Sequence, residues 1–262
     1  MRDILYIGGG FDILHSDHKK FIENGMKIFM NEFILSEIII GLKPDLRINI
    51  QKGQNRPFFS FEWRKKDMEN FLSSKKIKYR VINSLEFNPK KFEFTRIVSQ
   101  VKSGYIKEGE RIKNLGGQVL YVDQVDCLHT SDFEVRLIEA KERSMCNIRK
   151  VGAILIRNGK FIKDGSSGLG DCNSCKKFKA YKIGGGKKSK KISCNYPHAE
   201  DICLESAKKE DELIITDSPC MECAKNIVSK KIRRVVYLNE YHDLYPTKYL
   251  TENGVECRKS GI

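Results

Sequence analysis

The stretch "PHAEDICLESAKKEDELIITDSPCMEC", residues 197–223, puts His198 and Glu200 at the start of one helical segment and Cys220 and Cys223 at the start of another. The strand-like run "ELIIT" lies between them. Cys220 and Cys223 are three apart, so on a helix they share one face. Pro219 suits the first helical position, with Ser218 as the cap before it. A helix start carries partial positive charge, which together with a divalent cation favours thiolate over thiol. One histidine and two cysteines leave one corner of a zinc tetrahedron open, the pattern of a catalytic site. A closed structural knuckle would need a fourth ligand such as Cys203 or Cys194, and it has no use for a carboxylate at position 200. Zinc brings the pKa of water toward about 7, and Glu200, two residues past the histidine, is placed to take the proton.

The H-x-E and P-C-x-x-C pair is the general signature of zinc nucleobase deaminases. The neighbouring sequence narrows this further. "CNIRKVGAILI", residues 146–156, resembles the opening segment of the deoxycytidylate deaminases, and "RRVVYLNEY" with "YLTENGVEC" resembles their closing segment. The resemblance covers residues 144 to 257. It implies hydrolytic deamination of dCMP to dUMP, with zinc on His198, Cys220 and Cys223, and Glu200 carrying the proton to a ring nitrogen and the leaving amine. That family has an aromatic-Asn-Gly-x-Pro turn after its second strand that helps hold the nucleotide. This chain has "GSSGLGDC" instead, with Ser167 where the asparagine would stand. Ser167 and Ser218 are the candidate substrate contacts. Cys172, Cys175 and Cys194 form a second constellation that would suit a structural zinc, as some deoxycytidylate deaminases carry one here, or else three reduced thiols. Cys146, Cys203 or a histidine would then complete it.

Working outward, 262 residues exceed the usual single domain, so two domains are expected. Residues 1–140 carry 23 Lys+Arg against 19 Asp+Glu, and residues 141–262 carry 25 against 15, so the second half is the likelier to meet anions. Much of that excess is "KKFKAYKIGGGKKSKK", residues 176–191, which reads as a solvated loop or as an electrostatic draw for phosphate. Phe178 and Tyr181 within it keep single-stranded nucleic acid open as a partner. Nine cysteines, crowded between Cys172 and Cys223, suit metal ligands better than a disulfide framework. The apolar runs are broken well short of a bilayer span and no signal-peptide core opens the chain, so the expectation is a soluble, cytoplasmic protein without membrane contact.

In the first half, "DILYIGG" reads as a buried strand ending in a glycine turn, followed by a helix over "DHKKFIENGMKIFM" and a strand at "EIIIGL". A polar loop around "KGQNRP", a helix "FSFEWRKKDMENFLSS", a strand "KYRVINS", a helical stretch near "FTRIVSQVKS" and a strand "GQVLYV" follow. This alternation predicts a parallel α/β sheet. The helix "DFEVRLIEAKERSM" closes the unit, with the boundary near residue 140. A strand-turn-strand with Asn158-Gly159 at its turn then opens a second α/β layer. Trp63 reads as a helix packing residue rather than a stacking platform, and His129 and His242 as ordinary loop histidines.

The turn after the first strand, "GGGFDILHSDHKKFIENG", residues 8–25, has the context of a phosphate site: strand, glycines, then histidines at a helix start. It resembles the G-x-F-D-x-x-H-x-G-H entry of the nucleotidyltransferases acting on glycerol phosphate, ethanolamine phosphate and heptose phosphate. "IIIGLKPDLRINIQKGQNRPFFSFEWRKKDM" and "LGGQVLYVDQVDCLHTSDFEVRLI" are similar to later segments of the same family, so residues 3 to 140 are covered. The resemblance implies a nucleotide site of Gly9, Gly10, Phe11, Asp12, His15, His18, Arg56, Thr130 and Ser131, with Mg2+ accompanying a nucleoside triphosphate. Asp17 stands where that family has glycine, and its carboxylate would repel phosphate unless it faces solvent or binds magnesium.

The expected fold is therefore a Rossmann-like nucleotidyltransferase domain over residues 1–140 and a three-layer α/β/α cytidine-deaminase-like domain over residues 141–262. Zinc-dependent deamination of a cytosine nucleotide is the leading function. The alternatives are a deaminase acting on a base in RNA or single-stranded DNA and a zinc- and nucleotide-binding regulator without catalysis. The resemblance also implies a homo-oligomer.

Overall fold

A computed structural model of the chain describes residues 3–87, 96–102, 110, 113–114, 118–122, 129–146, 149–168, 196–241 and 243–261. It divides into two compact units, Met1–Leu128 with Gly261–Ile262 and His129–Ser260. Cys172, Cys175, Cys194, the lysine-rich tract with Phe178 and Tyr181, and His242 lie outside the described residues. No helix among those residues is long and apolar enough to cross a membrane.

Unit one comprises β1 (Asp3–Gly9), α1 (Ser16–Glu32), β2 (Leu35–Leu42), α2 (Asp45–Lys52), α3 (Phe61–Ser73), β3 (Tyr79–Asn83), β4 (Arg96–Lys102) and β5 (Gln118–Val122). The strands form one sheet in the order β3-β2-β1-β4-β5, and every pairing is parallel. Parallel strands need both faces covered, which explains the continuous burial of Ile4 to Ile7. Helix α1 buries Phe21, Ile22, Met26 and Phe29, a stripe at helical spacing that packs on Leu5, Ile7, Ile38 and Ile40. Met68 and Leu72 of α3 join the same cluster. Chain order reverses between β1 and β4, and ligands of such sheets sit beyond the strand ends at that crevice. The turn from Gly10 to His15 leaves β1 at that end.

Two expectations for this unit change. The stretch near "FTRIVSQVKS" is strand β4 and not a helix. Its β-branched Ile97, Val98 and Val101 favour extended backbone, and pairing with β1 and β5 on both sides outweighs the helical spacing. The segment taken as part of a polar loop contains α2, which buries only Ile48 and so shows no apolar periodicity. Gly53, at φ 102°, ends it.

Unit two comprises α4 (Thr130–Glu142), β6 (Gly152–Arg157), β7 (Lys160–Ser166), α5 (Ala199–Leu204), β8 (Glu212–Asp217), α6 (Met221–Ser229), β9 (Arg234–Asn239), α7 (Tyr245–Glu252) and β10 (Glu256–Lys259). Its sheet is mixed, ordered β10-β9-β8-β6-β7, with β8, β9 and β10 parallel and β6 antiparallel to both neighbours. Asn158 and Gly159, at φ 53° and 76°, make the tight hairpin turn the sequence predicted. Alternate residues sort the faces: Ala153, Leu155, Leu213, Ile215 and Val235 pack under α5, α6 and α7. Gly152 looks the other way, where a Cβ would stand 2.6 Å from Leu137 O of α4.

That contact also moves the boundary. The sequence reading ended the first domain near residue 140, after the helix now labelled α4. In the structure α4 packs on β6 and β7, Ser166 Oγ donates to Ala140 O at 2.6 Å, and the second unit begins at His129. Phe133, Leu137 and Ala140 need an apolar face to cover, and β6 supplies it.

At the opposite end of this sheet from the strand ends that lead to Cys220, Glu212, Arg234 and Glu256 stand in register across β8, β9 and β10. The Arg234 guanidinium is wholly buried, with Nη1 donating to Glu212 at 3.1 Å and Nε to Glu256 at 2.5 Å. Arg233 pairs with the same Glu212.

Candidate active site

Three parallel strands run toward one rim, and the chain leaving β8 there turns through Ser218 and Pro219 into Cys220. Cys220 is the N-cap of α6 and His198 the N-cap of α5, so both ligands sit where helix N–H groups are unpaired. This moves the expected cap by two residues, since the helix begins at Met221 rather than Pro219. Ser218, expected to cap it, is buried and accepts from Tyr241 N at 2.8 Å. Helix α5 is held in place by Asp201, whose carboxylate accepts from His198 N at 3.1 Å and from Asn226 Nδ2 of α6 at 3.1 Å. It lies close on β7 because Gly165 has no side chain: a Cβ there would fall 2.1 Å from Ala199 O.

His198 Nδ1 lies 3.2 Å from Cys223 Sγ and 3.5 Å from Cys220 Sγ. All three ligand atoms fall within 4.8 Å of one another. Zinc–sulfur and zinc–nitrogen bonds of about 2.3 and 2.0 Å at a tetrahedral angle give an N···S edge of about 3.5 Å, so the group has the dimensions of a zinc site. Its electrostatics agree. The Cys220 thiol is pulled down to about 3 by hydrogen bonding with Cys223 and with His198, while His198 is pushed up to about 9, chiefly by that same hydrogen bond to Cys220. Cys223 is pushed up, first by its hydrogen bond to Cys220 and then by burial. One thiolate and an imidazolium share a space where a cation would replace the protons.

Glu200 is 4% exposed, and that burial pushes its carboxyl up to about 7. A group half-protonated near neutrality can both accept and return a proton. Cys203 stands outside the trio: it is fully buried in the apolar cluster, with Sγ 3.8 Å from Lys163 O, and burial pushes its thiol up. Ser167, a candidate substrate contact, is also buried. Its hydroxyl accepts from Val151 N at 2.9 Å, donates to Arg149 O at 3.1 Å and lies 2.7 Å from Ser144 Oγ. It ties β7 to the segment before β6.

The sequence reading missed Arg149, Asp217 and Tyr241 beside this rim. Arg149 donates to Asp217 and lies over the Tyr241 ring, 4.1 Å from its centroid. The "CNIRKVG" stretch carried Arg149 in plain view, but nothing in its spacing joins it to Asp217, 68 residues on.

The turn of unit one has its own buried polar centre. Asp12 accepts from Arg56 Nε at 2.8 Å, Phe58 N at 3.0 Å and Phe59 N at 2.9 Å. Arg64 is fully buried and donates to Gly10 O, Lys43 O, Phe59 O and Asp45. Gly9 and Gly10 lead into Phe11, which takes a left-handed φ of 47°. His15 and His18 stack, ring centroids 3.7 Å apart, and His18 Nδ1 donates to Ile13 O at 3.3 Å. Asp17 does not face solvent: it is 9% exposed, with Oδ2 3.7 Å from His15 Nδ1. Thr130 and Ser131, expected with this group, open α4 in unit two. His129 N donates to Asp132, an ordinary cap, and Trp63 meets Phe59 edge to face at 6.0 Å.

A His/Cys/Cys trio with the dimensions of a metal site at two helix starts, with a buried carboxyl nearby over a mixed sheet, is the arrangement typical of the zinc deaminase class. Residues 128–239 match the model of the cytidine and deoxycytidylate deaminase zinc-binding region. A deoxycytidylate deaminase of Mycobacterium phage D29 is 30% identical over 111 residues, covering 38% of this chain and 87% of the phage protein. One of Schizosaccharomyces pombe is 29% identical over 135 residues, 46% of this chain but only 40% of the yeast protein. The solved dCMP deaminase of cyanophage S-TIM5 in complex with dCMP and dUMP is 27% identical, covers 51% of this chain and 99% of that one, and superposes with a TM-score of 0.37. The chain belongs, through its second unit, to the cytidine and deoxycytidylate deaminase family.

Proposed function

We propose that unit two catalyses the zinc-dependent hydrolytic deamination of a cytosine nucleotide, dCMP to dUMP. The observation that carries this reading is Glu200, a buried carboxyl raised to about 7 two residues from His198. His198, Cys220 and Cys223 would hold the zinc, which supplies Lewis acidity toward water. Glu200 takes one proton of the attacking water on a carboxylate oxygen and delivers it to the ring nitrogen, then takes the second from the hydroxyl that has added to the ring and delivers it to the departing amine. Its burial keeps both proton positions close in energy. The phage relative, a deoxycytidylate deaminase across most of its own length, supports the choice of substrate.

Unit one is read as a nucleotidyltransferase-like domain whose turn from Gly9 to His18, with Arg56, binds the phosphates of a nucleotide together with Mg2+. Its parallel order, with the turn at the reversal point, supports this. A second zinc on Cys172, Cys175 and Cys194 and a homo-oligomeric assembly complete the reading.

The test is a panel of cytosine and adenine nucleotides with purified zinc-loaded protein, scored for ammonia. CTP or ATP with phosphorylated alcohols is scored for pyrophosphate in the same run. Turnover of dCMP that vanishes in Glu200→Ala with zinc retained supports the reading. Inactivity on every mononucleotide, with salt-sensitive and length-dependent binding of oligonucleotides, would sink it in favour of a polynucleotide substrate.

A further inference from the structure

Helix α1 opens at the turn after β1 without a side-chain cap: His15, at its N-cap, makes no capping hydrogen bond. In unit two the first-turn acids are used up as caps. Asp132 of α4 accepts from His129 N at 2.6 Å, and Asp201 of α5 accepts from His198 N at 3.1 Å. Asp17 of α1 is placed differently. Its Oδ1 accepts from Ser16 Oγ at 3.2 Å, while Oδ2 is buried and has no hydrogen-bond partner among the described residues. His15 Nδ1 stands 3.7 Å from that oxygen, beyond hydrogen-bond distance.

A buried carboxylate oxygen without a donor is costly, and folds keep few of them. An acid that only offset the helix dipole could do so from the water-exposed side of the first turn. Asp17 is instead 9% exposed, in a turn that also buries Asp12 and His15. Beside it lies the start of a 17-residue helix, which favours anions, at the reversal point of the sheet. A carboxylate and a phosphate brought to one helix start repel each other. A hard divalent cation between them turns repulsion into attraction, since Mg2+ takes one carboxylate oxygen together with phosphate oxygens and waters. A cation arriving alone would be disfavoured by the helix start, whereas one that brings phosphate is not. The residues present fit such an ion: Ser16 holds Oδ1, and Oδ2 is left for a single metal bond.

We propose that Asp17 is a Mg2+ ligand of unit one, so that this unit takes a nucleoside triphosphate only as its magnesium complex. The proposal rests on the nucleotide reading of unit one above. Asp17 rejects the free nucleotide by charge and accepts the complex by coordination.

The experiment measures Kd for ATP and CTP by calorimetry on the zinc-loaded full chain, with Mg2+ and in buffer freed of divalent cations, for wild type, Asp17→Asn and Asp17→Gly. In the wild type, leaving out Mg2+ should weaken binding of at least one nucleotide roughly 100-fold. In Asp17→Asn the same omission should cost roughly 10-fold or less, because affinity falls with Mg2+ and rises without it. Asp17→Gly should behave alike, and it carries the test if the asparagine variant does not fold. Mn2+ in place of Mg2+ gives a second readout: with nucleotide and wild type it should show a protein-bound EPR signal, held more weakly in Asp17→Asn. An equal dependence on Mg2+ in wild type and Asp17→Asn would overturn the proposal, placing the ion on the phosphates alone. Binding by Asp17→Gly with none by the wild type in either buffer would also overturn it, making Asp17 a plug. If no form binds either nucleotide, the nucleotide reading of unit one has failed and the proposal falls with it, while the deaminase reading of unit two is untouched.

Discussion

His198 Nδ1 and Cys223 Sγ come within 3.2 Å of each other although 25 residues separate them in the chain. Each is fixed by its own helix, so the spacing of the proposed ligands is set by the fold itself. Replacing either by alanine should abolish stoichiometric zinc, read by metal analysis of the purified protein. Because His198 is raised to about 9 and must shed its proton to bind, zinc affinity should fall as pH drops from 9 to 6. Titration with a competing chelator at several pH values measures this, and a pH-independent affinity would contradict the assignment of Nδ1.

Glu200 sets activity against stability. A carboxyl raised from 4.5 to about 7 in the folded state contributes its full stability below pH 4.5 and loses it as pH rises through 7. With zinc removed, Glu200→Gln should match the wild type near pH 4.5 and exceed it at pH 8 by roughly 3 kcal/mol, at about 1.4 kcal/mol per pH unit. The same variant, loaded with zinc, should lose a factor of about 100 or more in kcat. Chemical denaturation at two pH values and an ammonia assay check the two halves separately.

Gly165→Ala tests how α5 is seated. The added methyl would meet Ala199 O at 2.1 Å and Ile202 Cβ at 3.1 Å, which forces the helix outward. A cost of about 1–3 kcal/mol is expected, together with weakened zinc binding, because Ala199 lies between His198 and Glu200. Thermal melts with and without zinc provide the measurement. Lost stability with full zinc affinity would show that the ligands do not ride on this contact.

Arg234→Met addresses the far end of the sheet. It takes from buried Glu212 and from Glu256 the guanidinium that lies between them. About 3–5 kcal/mol of stability should be lost. The triple change with Glu212→Gln and Glu256→Gln should recover part of it, as seen by denaturant midpoints, because no buried charge is then stranded.

The clustering of His198, Cys220 and Cys223 was legible in sequence because the His198–Glu200 and Cys220–Cys223 pairs are local, two or three residues apart at a helix start, and local spacing survives folding unchanged. Strand β4 was not, since "RIVSQVK" carries apolar residues at helical as well as strand intervals, and its pairing partners lie far away in the chain. The domain boundary was misjudged for a similar reason. Helix α4 has a clear apolar face, but a face does not say which sheet it will cover. Asp12 could be read as a candidate binding residue, yet only the structure shows it accepting three hydrogen bonds from the Arg56–Phe59 loop. The Arg149–Asp217 pair spans 68 residues and leaves no trace in any window.

Helix α5 has six residues, too few to persist alone in water, where the first turn costs more than a short helix returns. Asp201 and the bare backbone of Gly165 moor it. A cation shared by His198 and Cys220 would join chain positions 22 residues apart, which in polymer terms is a cross-link. By the loop-entropy relation used for disulfides, closing such a loop withholds about 3 kcal/mol of freedom from the unfolded chain. The ion that serves the chemistry would thus also act as a reversible staple, and a chelator should lower the melting temperature of unit two.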